Sequence, residues 1–226
     1  GSASPLLANI YLHYVFDQWV KQWRARHARG DVIVVRYADD WVAGFRFRDD
    51  AERFARDVKA RLQEFGLKLH PEKTRLIEFG PFARGNIARR GKGKPQTFDF
   101  LGFTHCCGKT RQGKFIVLRL TSAKRLRGKL AALKVELRRR MHVPIGEQGR
   151  YLRAVVIGHT RYYGVPMNGA RLRTFRHQVA RLWHRTMCRR SQTGFVTWRR
   201  MYRLIHHWLP SPRICHPYPN QRLSVT

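Results

Sequence analysis

Two adjacent carboxylates, Asp39 and Asp40, are the residues of this sequence with the clearest capacity for chemistry. Like charges side by side repel each other, so holding them together costs stability unless a cation lies between them. Mg²⁺ prefers oxygen ligands; it usually takes one or two protein carboxylates and fills its other positions with water and substrate phosphate. The pair therefore predicts a Mg²⁺ site, against the alternative that Asp-Asp here is only a turn between strands.

The residues around this pair predict a β-hairpin. Val32–Tyr37 is rich in β-branched and aromatic residues, and residues 41–45 resume the apolar run. Between the two runs, residues 38–40 supply the polar turn. A hairpin of this kind would hold both carboxylates at its tip.

The chain on both sides of the hairpin predicts helices. Ser4 is a suitable N-cap for a helix that runs to about Trp23. Asp49 and Asp50 are expected to cap a second helix, which ends at Gly66. The apolar stripe of this second helix is Ala51, Phe54, Ala55, Val58, Leu62 and Phe65.

Short strands and loops are predicted for the next fifty residues. Residues 80–96 are rich in Gly, Arg and Lys with few apolar residues, which favours a surface loop. The predicted strands are residues 67–69, 75–79, 97–103 and 114–120, the last paired with the chain around Cys106 across residues 108–113.

Beyond residue 121 the apolar period becomes helical and predicts three packed helices followed by a fourth. Ser122 is expected to cap the first, and Pro210 to end the fourth, after which the chain is expected to be extended. We expect the aromatic residues of the fourth helix to be core residues rather than base-stacking platforms. The apolar stripes are Leu126, Leu130, Leu133, Leu137 and Met141; Leu152, Val155, Val156, Tyr162 and Tyr163; Leu172, Phe175, Val179 and Leu182; and Trp198, Met201, Tyr202, Ile205 and Trp208.

The charge of the chain points to a polyanionic partner. The 226 residues contain 46 Lys and Arg against 14 Asp and Glu, a net charge of +32. Residues 1–100 carry +7 and residues 101–226 carry +25, with Glu136 and Glu147 as the only acids of the second part. Ribosomal proteins and proteins of anionic membrane surfaces are also basic, but no apolar stretch approaches the roughly 18 residues of a spanning helix. Nucleic acid is therefore the expected partner.

The cysteines and the termini add little chemistry. Four cysteines show no C-x-x-C pairing, so neither a zinc site nor a disulfide framework is predicted. No signal peptide is visible, and reduced thiols favour the cytoplasm. The chain begins at Gly1 without an initiator Met, so we expect a fragment or, alternatively, two residues, Gly1 and Ser2, that were added to the natural sequence. The four are Cys106, Cys107, Cys188 and Cys215.

Tyr37-Ala38-Asp39-Asp40 resembles the Tyr-x-Asp-Asp box of reverse transcriptases. Residues 4–13 resemble the helix that precedes this box in group II intron reverse transcriptases. Residues 66–74 resemble the palm motif that follows it, and residues 98–103 the primer-grip strand. The basic helical segment after them is similar to the group II maturase, or thumb, domain. Several motifs in the order and spacing of one family make a specific match.

The resemblance implies an α+β fold: the C-terminal part of a reverse-transcriptase palm over residues 1–120, with an antiparallel sheet and helices, then an α-helical thumb or maturase bundle over residues 121–226. It implies an RNA-directed DNA polymerase and maturase, cytoplasmic or bound to a bacterial nucleoid. Its partners would be group II intron RNA, an RNA template with a DNA primer, and deoxynucleoside triphosphates. The residues it assigns are Asp39 and Asp40 as catalytic ligands of two Mg²⁺ ions; Tyr37, Ala38 and Lys73 at the nucleotide; Phe100, Leu101 and Gly102 at the primer; and Arg125, Arg127, Lys134, Arg138, Arg139, Arg140, Arg173 and Arg176 on RNA.

One expected part of the active site is missing from the sequence. In the family a third carboxylate comes from an upstream palm strand, and Asp17, Asp31 and Asp99 are the nearby residues that could replace it. Each is more simply explained as a helix-surface or strand-end residue, so the isolated fragment is expected to be inactive. The alternative function is a non-catalytic RNA-binding maturase or the relic of a retroelement.

Overall fold

A computed structural model describes residues 3–91, 93–191 and 194–218 and shows an α+β fold, as predicted. The helices are α1 Ala3–Leu12, α2 Gln18–His27, α3 Arg48–Glu64, α4 Ala83–Arg89, α5 Ala123–Arg139, α6 Ile145–Tyr163, α7 Gly169–Cys188 and α8 Trp198–Trp208. A π-helical segment, His13–Asp17, joins α1 to α2. The strands are β1 Val32–Tyr37, β2 Asp40–Phe45, β3 Phe98–Phe100, β4 Phe103–Lys109 and β5 Phe115–Thr121.

The chain divides into two compact units, here called the N-terminal unit (residues 1–78) and the C-terminal unit (residues 79–226). The domain boundary implied by the family resemblance lies at residues 120/121 and stays a prediction. The structure groups the sheet of β3, β4 and β5 with the helices that follow, because buried Asn168 joins them. Its Oδ1 accepts from the backbone N of Thr121 at 2.9 Å, and its Nδ2 donates to Thr121 Oγ1 at 2.8 Å.

The N-terminal helix is longer than predicted. It continues through the π-helical segment to His27 rather than ending near Trp23. Ser4 is the second residue of α1, so its prediction as the N-cap is wrong. Val15 and Phe16 of the π-helical segment are buried, and they pack in the core of this unit with Val20, Trp23, Val32, Phe54, Val58 and Leu62.

The acids at the start of α3 do not cap the helix as predicted. Phe47 is the N-cap, and no side chain caps that end. Asp50 is buried and accepts hydrogen bonds from the backbone N of Arg29 at 3.0 Å and of Gly30 at 3.2 Å. Asp49 forms an ion pair with Arg29 at 2.9 Å. The two carboxylates therefore fix the loop between α2 and β1.

The other predictions for α3 are largely confirmed. Gly66 follows the helix with a φ of +70°, the left-handed conformation that favours glycine at a helix end. Most of the apolar stripe is buried, but Ala55 and Phe65 are exposed. The helix thus packs a narrower stripe on the core than its sequence suggests.

Two predictions between residues 67 and 96 are wrong. Residues 67–69 and 75–79 form no strands; Leu67 and Leu69 instead pack against the core of the N-terminal unit. The predicted loop over residues 80–96 contains helix α4. Ala83 and Ile87, four residues apart, are both buried and give this short helix an apolar side.

After α4, the C-terminal unit contains an antiparallel sheet in the order β3-β4-β5. The predicted strand over residues 97–103 is interrupted, because Leu101 and Gly102 adopt φ values of +49° and +78°. Positive φ at both central residues is typical of a two-residue hairpin turn. Cys106 lies opposite Leu118, so the predicted pairing of the next hairpin is confirmed.

Four helices, α5 to α8, complete the C-terminal unit and confirm the predicted helical segment. Ser122 is the N-cap of α5, although its hydroxyl donates to Asp99 rather than capping the helix. Buried Gln148 connects three helices: its Nε2 donates to the carbonyl of Arg140 at 2.7 Å, and its Oε1 accepts from Trp183 Nε1 at 2.8 Å. After α8, residues 211–218 form no regular element, and residues 219–226 lie outside the described residues.

All four cysteines are free thiols. In the described part of the chain, no helix is long and apolar enough to cross a membrane.

Candidate active site and basic helical surface

The predicted hairpin around the paired carboxylates is confirmed. Strands β1 and β2 pair in an antiparallel ladder that runs from Val32 opposite Phe45 to Tyr37 opposite Asp40. Ala38 and Asp39 form the two-residue connection, and Asp40 is the first residue of β2. Both carboxylates are exposed at the tip of the hairpin.

One face of the hairpin is fixed to the core of the N-terminal unit. Val32 is buried, and the ring of Trp41 lies 5.2 Å from that of Phe16 and 5.9 Å from that of Phe54 between centroids. Aromatic packing of this kind favours a single arrangement of the strands. The residue directly after Asp40 thereby anchors the tip to the unit below it.

Arg36 holds the turn itself. Its Nε and Nη2 donate to the two carboxylate oxygens of Asp17 at 2.8 and 2.6 Å. Its Nη1 donates to Asn9 Oδ1 at 3.0 Å and to the carbonyl of Ala38 at 2.8 Å. The side chain of Arg36 is only 15% exposed. A single guanidinium therefore connects the turn that carries the carboxylates to the N-terminal helix.

The backbone of this turn is strained. Ala38 has a φ of +55°, a left-handed conformation that costs a residue with a Cβ roughly 1 to 2 kcal/mol. Such conformations persist where surrounding structure enforces them, and they cluster at functional sites. The hydrogen bond from Arg36 to the Ala38 carbonyl provides that support.

The π-helical segment explains how Asn9 and Asp17 reach the same guanidinium. At about 100° per residue, two positions eight apart on a regular α-helix point about 80° away from each other. A π-helix has more residues per turn, so the segment before Asp17 rotates less per residue and turns the two side chains toward one side. Single π-helical turns occur frequently at functional sites.

The ion pair shifts the pKa of both partners and stabilises their charged forms. Hydrogen bonds and the charge of Arg36 lower the pKa of Asp17 below its ordinary value, and Asp17 raises the pKa of Arg36. The pairing of Asp17 is thus a structural one.

Asp99 accepts from Thr104 Oγ1 at 2.5 Å and from Ser122 Oγ at 3.1 Å. Among the described residues, no three His, Cys, Asp or Glu side chains could together hold a metal ion.

The donor set at the hairpin tip still fits part of a Mg²⁺ site. Asp39 and Asp40 are exposed and form no ion pair with any described Lys, Arg or His. Two exposed carboxylates are what Mg²⁺ commonly takes from a protein that shares the ion with substrate phosphate. Asp39 and Asp40 could therefore supply part of the ligands of a Mg²⁺ ion, with substrate phosphate and other ligands filling its remaining positions.

Of the residues assigned to the nucleotide, Tyr37 and Ala38 lie beside the carboxylates, and Tyr37 is exposed. Lys73 lies elsewhere in the N-terminal unit, in the turn after His70, where its backbone N donates to the His70 carbonyl at 3.2 Å. Its side chain is exposed and forms no ion pair with a described Asp or Glu. The ammonium group of Lys73 is thus available to an anionic ligand.

The residues assigned to the primer form a turn rather than a strand. Phe100 ends β3, and Leu101 and Gly102 connect it to β4. The hydroxyl of Tyr162 donates to the Leu101 carbonyl at 2.9 Å. A Cβ on Gly102 would lie 2.8 Å from the hydroxyl of Tyr163, so only glycine fits beside this ring without a shift. Two neighbouring tyrosines of α6 therefore position the turn.

Residues 1–105 match the family model of reverse transcriptases, described as RNA-dependent DNA polymerases. The match includes the hairpin with its carboxylates, Lys73 and the Phe100–Gly102 turn. A comparison with curated proteins finds no significant match. The mixed helices and antiparallel strands are consistent with a fragment of a reverse-transcriptase palm.

Outside the reverse-transcriptase match lie the eight basic residues assigned to RNA, and the structure separates them into two groups. Arg140 and Arg176 have internal partners: Arg140 Nε lies 2.6 Å from Glu136 Oε1, and Arg176 donates to the Leu209 carbonyl at 2.9 and 3.1 Å. Arg139 is exposed and 3.9 Å from Glu136. The exposed residues, here called the α5–α7 basic surface, are Arg125, Arg127, Lys134, Arg138, Arg139 and Arg173.

Sequence reasoning missed three residues of these sites. Arg36, Tyr162 and Tyr163 were either unremarked or placed in a core stripe. An arginine within an apolar strand, next to the paired carboxylates, was the available signal, because such a residue needs a buried partner. The tyrosines gave no comparable signal, since their role depends on a turn that the sequence did not reveal.

Proposed function

We propose that this chain is the palm and thumb portion of a group II intron-type reverse transcriptase and maturase. It would extend a DNA primer on an RNA template with deoxynucleoside triphosphates. The observation that carries the proposal is the exposed Asp39–Asp40 pair on a hairpin tip held by Arg36, within a region that matches reverse transcriptases. The host compartment would be one that contains both intron RNA and target DNA, such as bacterial cytoplasm.

Asp39 and Asp40 would hold Mg²⁺ together with a carboxylate from an upstream palm strand. Bound there, two Mg²⁺ ions would activate the primer 3′ hydroxyl and stabilise the charge of the departing pyrophosphate. The protein's own contribution is to preorganise the ligands. Arg36 fixes the Ala38 carbonyl, and Trp41 fixes the strand after Asp40, so the carboxylates do not have to be ordered during the reaction.

Lys73 would act on the triphosphate. Its ammonium group could stabilise or protonate the departing pyrophosphate, a role that matters mainly in the transition state. We therefore expect Lys73→Gln to slow the chemical step in single-turnover kinetics more than it weakens nucleotide binding. An increase in nucleotide Kd with an unchanged chemical step would restrict Lys73 to binding.

The C-terminal unit would bind the RNA. The six residues of the α5–α7 basic surface are exposed, and Glu136 is the one acid within 4 Å of any of them in the described structure. Exposed charges of both signs would pair with one another in solvent, whereas exposed charges of one sign favour phosphate. Intron RNA is the proposed partner on the strength of the sequence resemblance.

The second candidate, a non-catalytic RNA-binding maturase, is supported by the same basic surface. The two candidates differ in whether the carboxylates are needed. A maturase without polymerase activity would tolerate neutral residues at the hairpin tip. The polymerase would not.

The deciding experiment is primer extension on an RNA template by a polypeptide that also carries the upstream palm strand. Asp39→Asn and Asp40→Asn should each reduce the Mg²⁺-dependent rate by on the order of 10³-fold. Asp31→Asn is the matched control, because Asp31 is also exposed but precedes β1 at the opposite end of the hairpin. Extension at an unchanged rate in either tip variant would refute the metal-site assignment.

A further inference from the structure

Helix α8 carries a row of aromatic side chains on the face that does not pack on the core. Trp198, Tyr202 and His206 follow one another at intervals of four residues and therefore lie along one side of the helix. Arg199 and Arg203 form the adjacent row. We call these five residues the α8 aromatic-basic face.

The aromatic rings of this face are both ordered and accessible. Trp198 is 43% exposed and Tyr202 is 62% exposed. One face of Trp198 stacks on the ring of His184, with centroids 4.1 Å apart and an angle of 20° between the planes. The ring of Tyr202 lies 6.1 Å from that of Trp198. The expectation that both aromatics belong to the core is therefore wrong.

The side of α8 next to this face packs on the core. Met201 and Ile205 are buried in the core of the C-terminal unit, and Leu209 follows them. Thr197 is the N-cap of the helix, and its hydroxyl accepts from the backbone N of Arg200. These apolar residues make the core contacts of α8, and much of the surface of Trp198 and Tyr202 stays exposed to solvent.

The charge around this face selects the class of partner. No Asp or Glu occurs after Glu147 in the sequence. Arg199 and Arg203 accordingly form no ion pair with a described acid. A membrane surface would be met by an exposed apolar helix face, but the apolar side of α8 is turned into the core. Exposed aromatic rings beside arginines are instead suited to bases and phosphates.

We infer that the α8 aromatic-basic face binds unpaired nucleotides of single-stranded RNA. Tyr202 and Trp198 would stack on bases, and Arg199 and Arg203 would contact the phosphates on either side. Stacking accepts any base, because every base has a π face. The inference rests on the proposed nucleic-acid partner but not on polymerase chemistry. It adds to the α5–α7 basic surface a site that distinguishes single strands from duplexes.

The test is fluorescence anisotropy of the 226-residue chain with a labelled oligouridine of about ten nucleotides and with a blunt RNA duplex of equal length. Tyr202→Leu should weaken oligouridine binding by about 5- to 50-fold, should leave the salt dependence unchanged, and should change duplex binding by less than about twofold. Tyr202→Phe should retain wild-type affinity, since the ring remains. Arg203→Gln should instead lower the salt slope by about one phosphate contact.

Tyr14→Leu is the matched control, because Tyr14 is 64% exposed and lies in the N-terminal unit. It should leave both affinities unchanged. Oligouridine affinity within twofold of wild type in Tyr202→Leu would overturn the inference, and so would equal weakening for the duplex. The inference would also be overturned if Tyr202→Leu weakened binding to anionic lipid vesicles but left oligouridine affinity unchanged. If the wild-type chain binds neither RNA, the proposed function itself fails.

Discussion

The two compact units differ in their balance of acidic and basic residues. The N-terminal unit has 14 Lys and Arg against 11 Asp and Glu, a net charge of +3, whereas the C-terminal unit has 32 against 3, a net charge of +29. Acids of the N-terminal unit that bind Arg, Trp or backbone donors include Asp17, Asp49, Asp50, Glu52, Asp57 and Glu64. Asp39 and Asp40 are exposed and have no such partner among the residues that the structure describes.

In the C-terminal unit the imbalance leaves basic side chains without acids to pair with. Arg140 and Arg176 do have internal partners: Arg140 pairs with the carboxylate of Glu136, and Arg176 donates to the backbone carbonyl of Leu209. The other arginines named on α5, α7 and α8 reach toward solvent. We propose from this difference a division of labour, in which the N-terminal unit would preorganise a small acidic site and the C-terminal unit would provide the affinity for a polyanion.

After replacement of the carboxylates themselves, the largest expected effect on the rate concerns the preorganisation of the acidic site. Arg36→Ala should lower the single-turnover rate of primer extension by about 10²-fold, because a small displacement of the carboxylates is costly in the transition state. Arg36→Lys keeps the charge but cannot form the bidentate pair with Asp17, so it should restore only part of the rate. RNA affinity should not change.

Arg24→Ala, an exposed arginine of α2, is the control for this prediction. A wild-type rate in Arg36→Ala would show that the turn is positioned by the strands alone. A loss of RNA affinity equal to the loss of rate would remove the distinction between the units.

The next effect tests whether packing holds the C-terminal unit together despite its charge. Gly149→Ala should destabilise it by about 2 to 3 kcal/mol, because a Cβ at Gly149 would overlap the ring of Trp208. Gly158→Ala in the same helix is the matched control, since nothing lies within 4 Å of its Cβ. That variant should gain up to about 1 kcal/mol. Urea unfolding of both variants measures the difference, and equal stabilities would show that α6 and α8 are not packed as described.

Acid should weaken the C-terminal unit through a buried histidine. Burial lowers the pKa of His159 from an ordinary value of 6.5 to about 4. Because the unfolded chain binds the proton more tightly, stability is fully present above about pH 6.5 and is lost as the pH falls toward 4. We expect a loss on the order of 1 to 2 kcal/mol between pH 7 and pH 5.

The comparison for this prediction is His159→Phe, which preserves ring stacking on Phe175, 3.7 Å away between centroids. Thermal unfolding of this variant should depend less on pH over the same range. A pH dependence identical to wild type would assign the acid sensitivity to other groups.

The smallest expected effect of a single substitution concerns the affinity for RNA and its dependence on salt. Lys134→Gln and Arg138→Gln should each lower the slope of log affinity against log salt by about one phosphate contact and weaken different RNAs by similar factors. Arg56→Gln, an exposed arginine of α3 in the N-terminal unit, should leave the slope unchanged. An unchanged slope in the first two variants would mean that α5 faces something other than RNA.

Periodic apolar patterns made most of the fold predictable. The hairpin, α3, α5 to α8 and the β4–β5 pairing all follow from spacing that each segment carries within itself. The wrong predictions concern segments whose conformation depends on contacts with residues that are distant in the sequence. Leu101 and Gly102 form a turn because Tyr162 and Tyr163 hold it, and Asp50 binds backbone donors across a loop instead of capping its helix.

The candidate site was predictable to a similar degree. Asp39 and Asp40 were evident from their adjacency on an apolar hairpin. Arg36 was not, because its role depends on a π-helical segment that brings Asp17 to it. Exposure of Tyr202 was equally hidden, since an aromatic residue at helical spacing usually belongs to a core.

The most direct test of the division of labour measures two quantities in two variants of a polypeptide that includes the upstream palm strand: the single-turnover rate of primer extension and the Kd for RNA. Asp39→Asn with Asp40→Asn should abolish measurable extension and leave the RNA Kd within about twofold of wild type. Replacing Arg125, Arg127, Lys134 and Arg138 by Gln should weaken RNA binding strongly at 200 mM salt, while the rate at saturating RNA stays close to wild type. If either variant changes both quantities in parallel, the chemistry and the affinity are not separated between the two units.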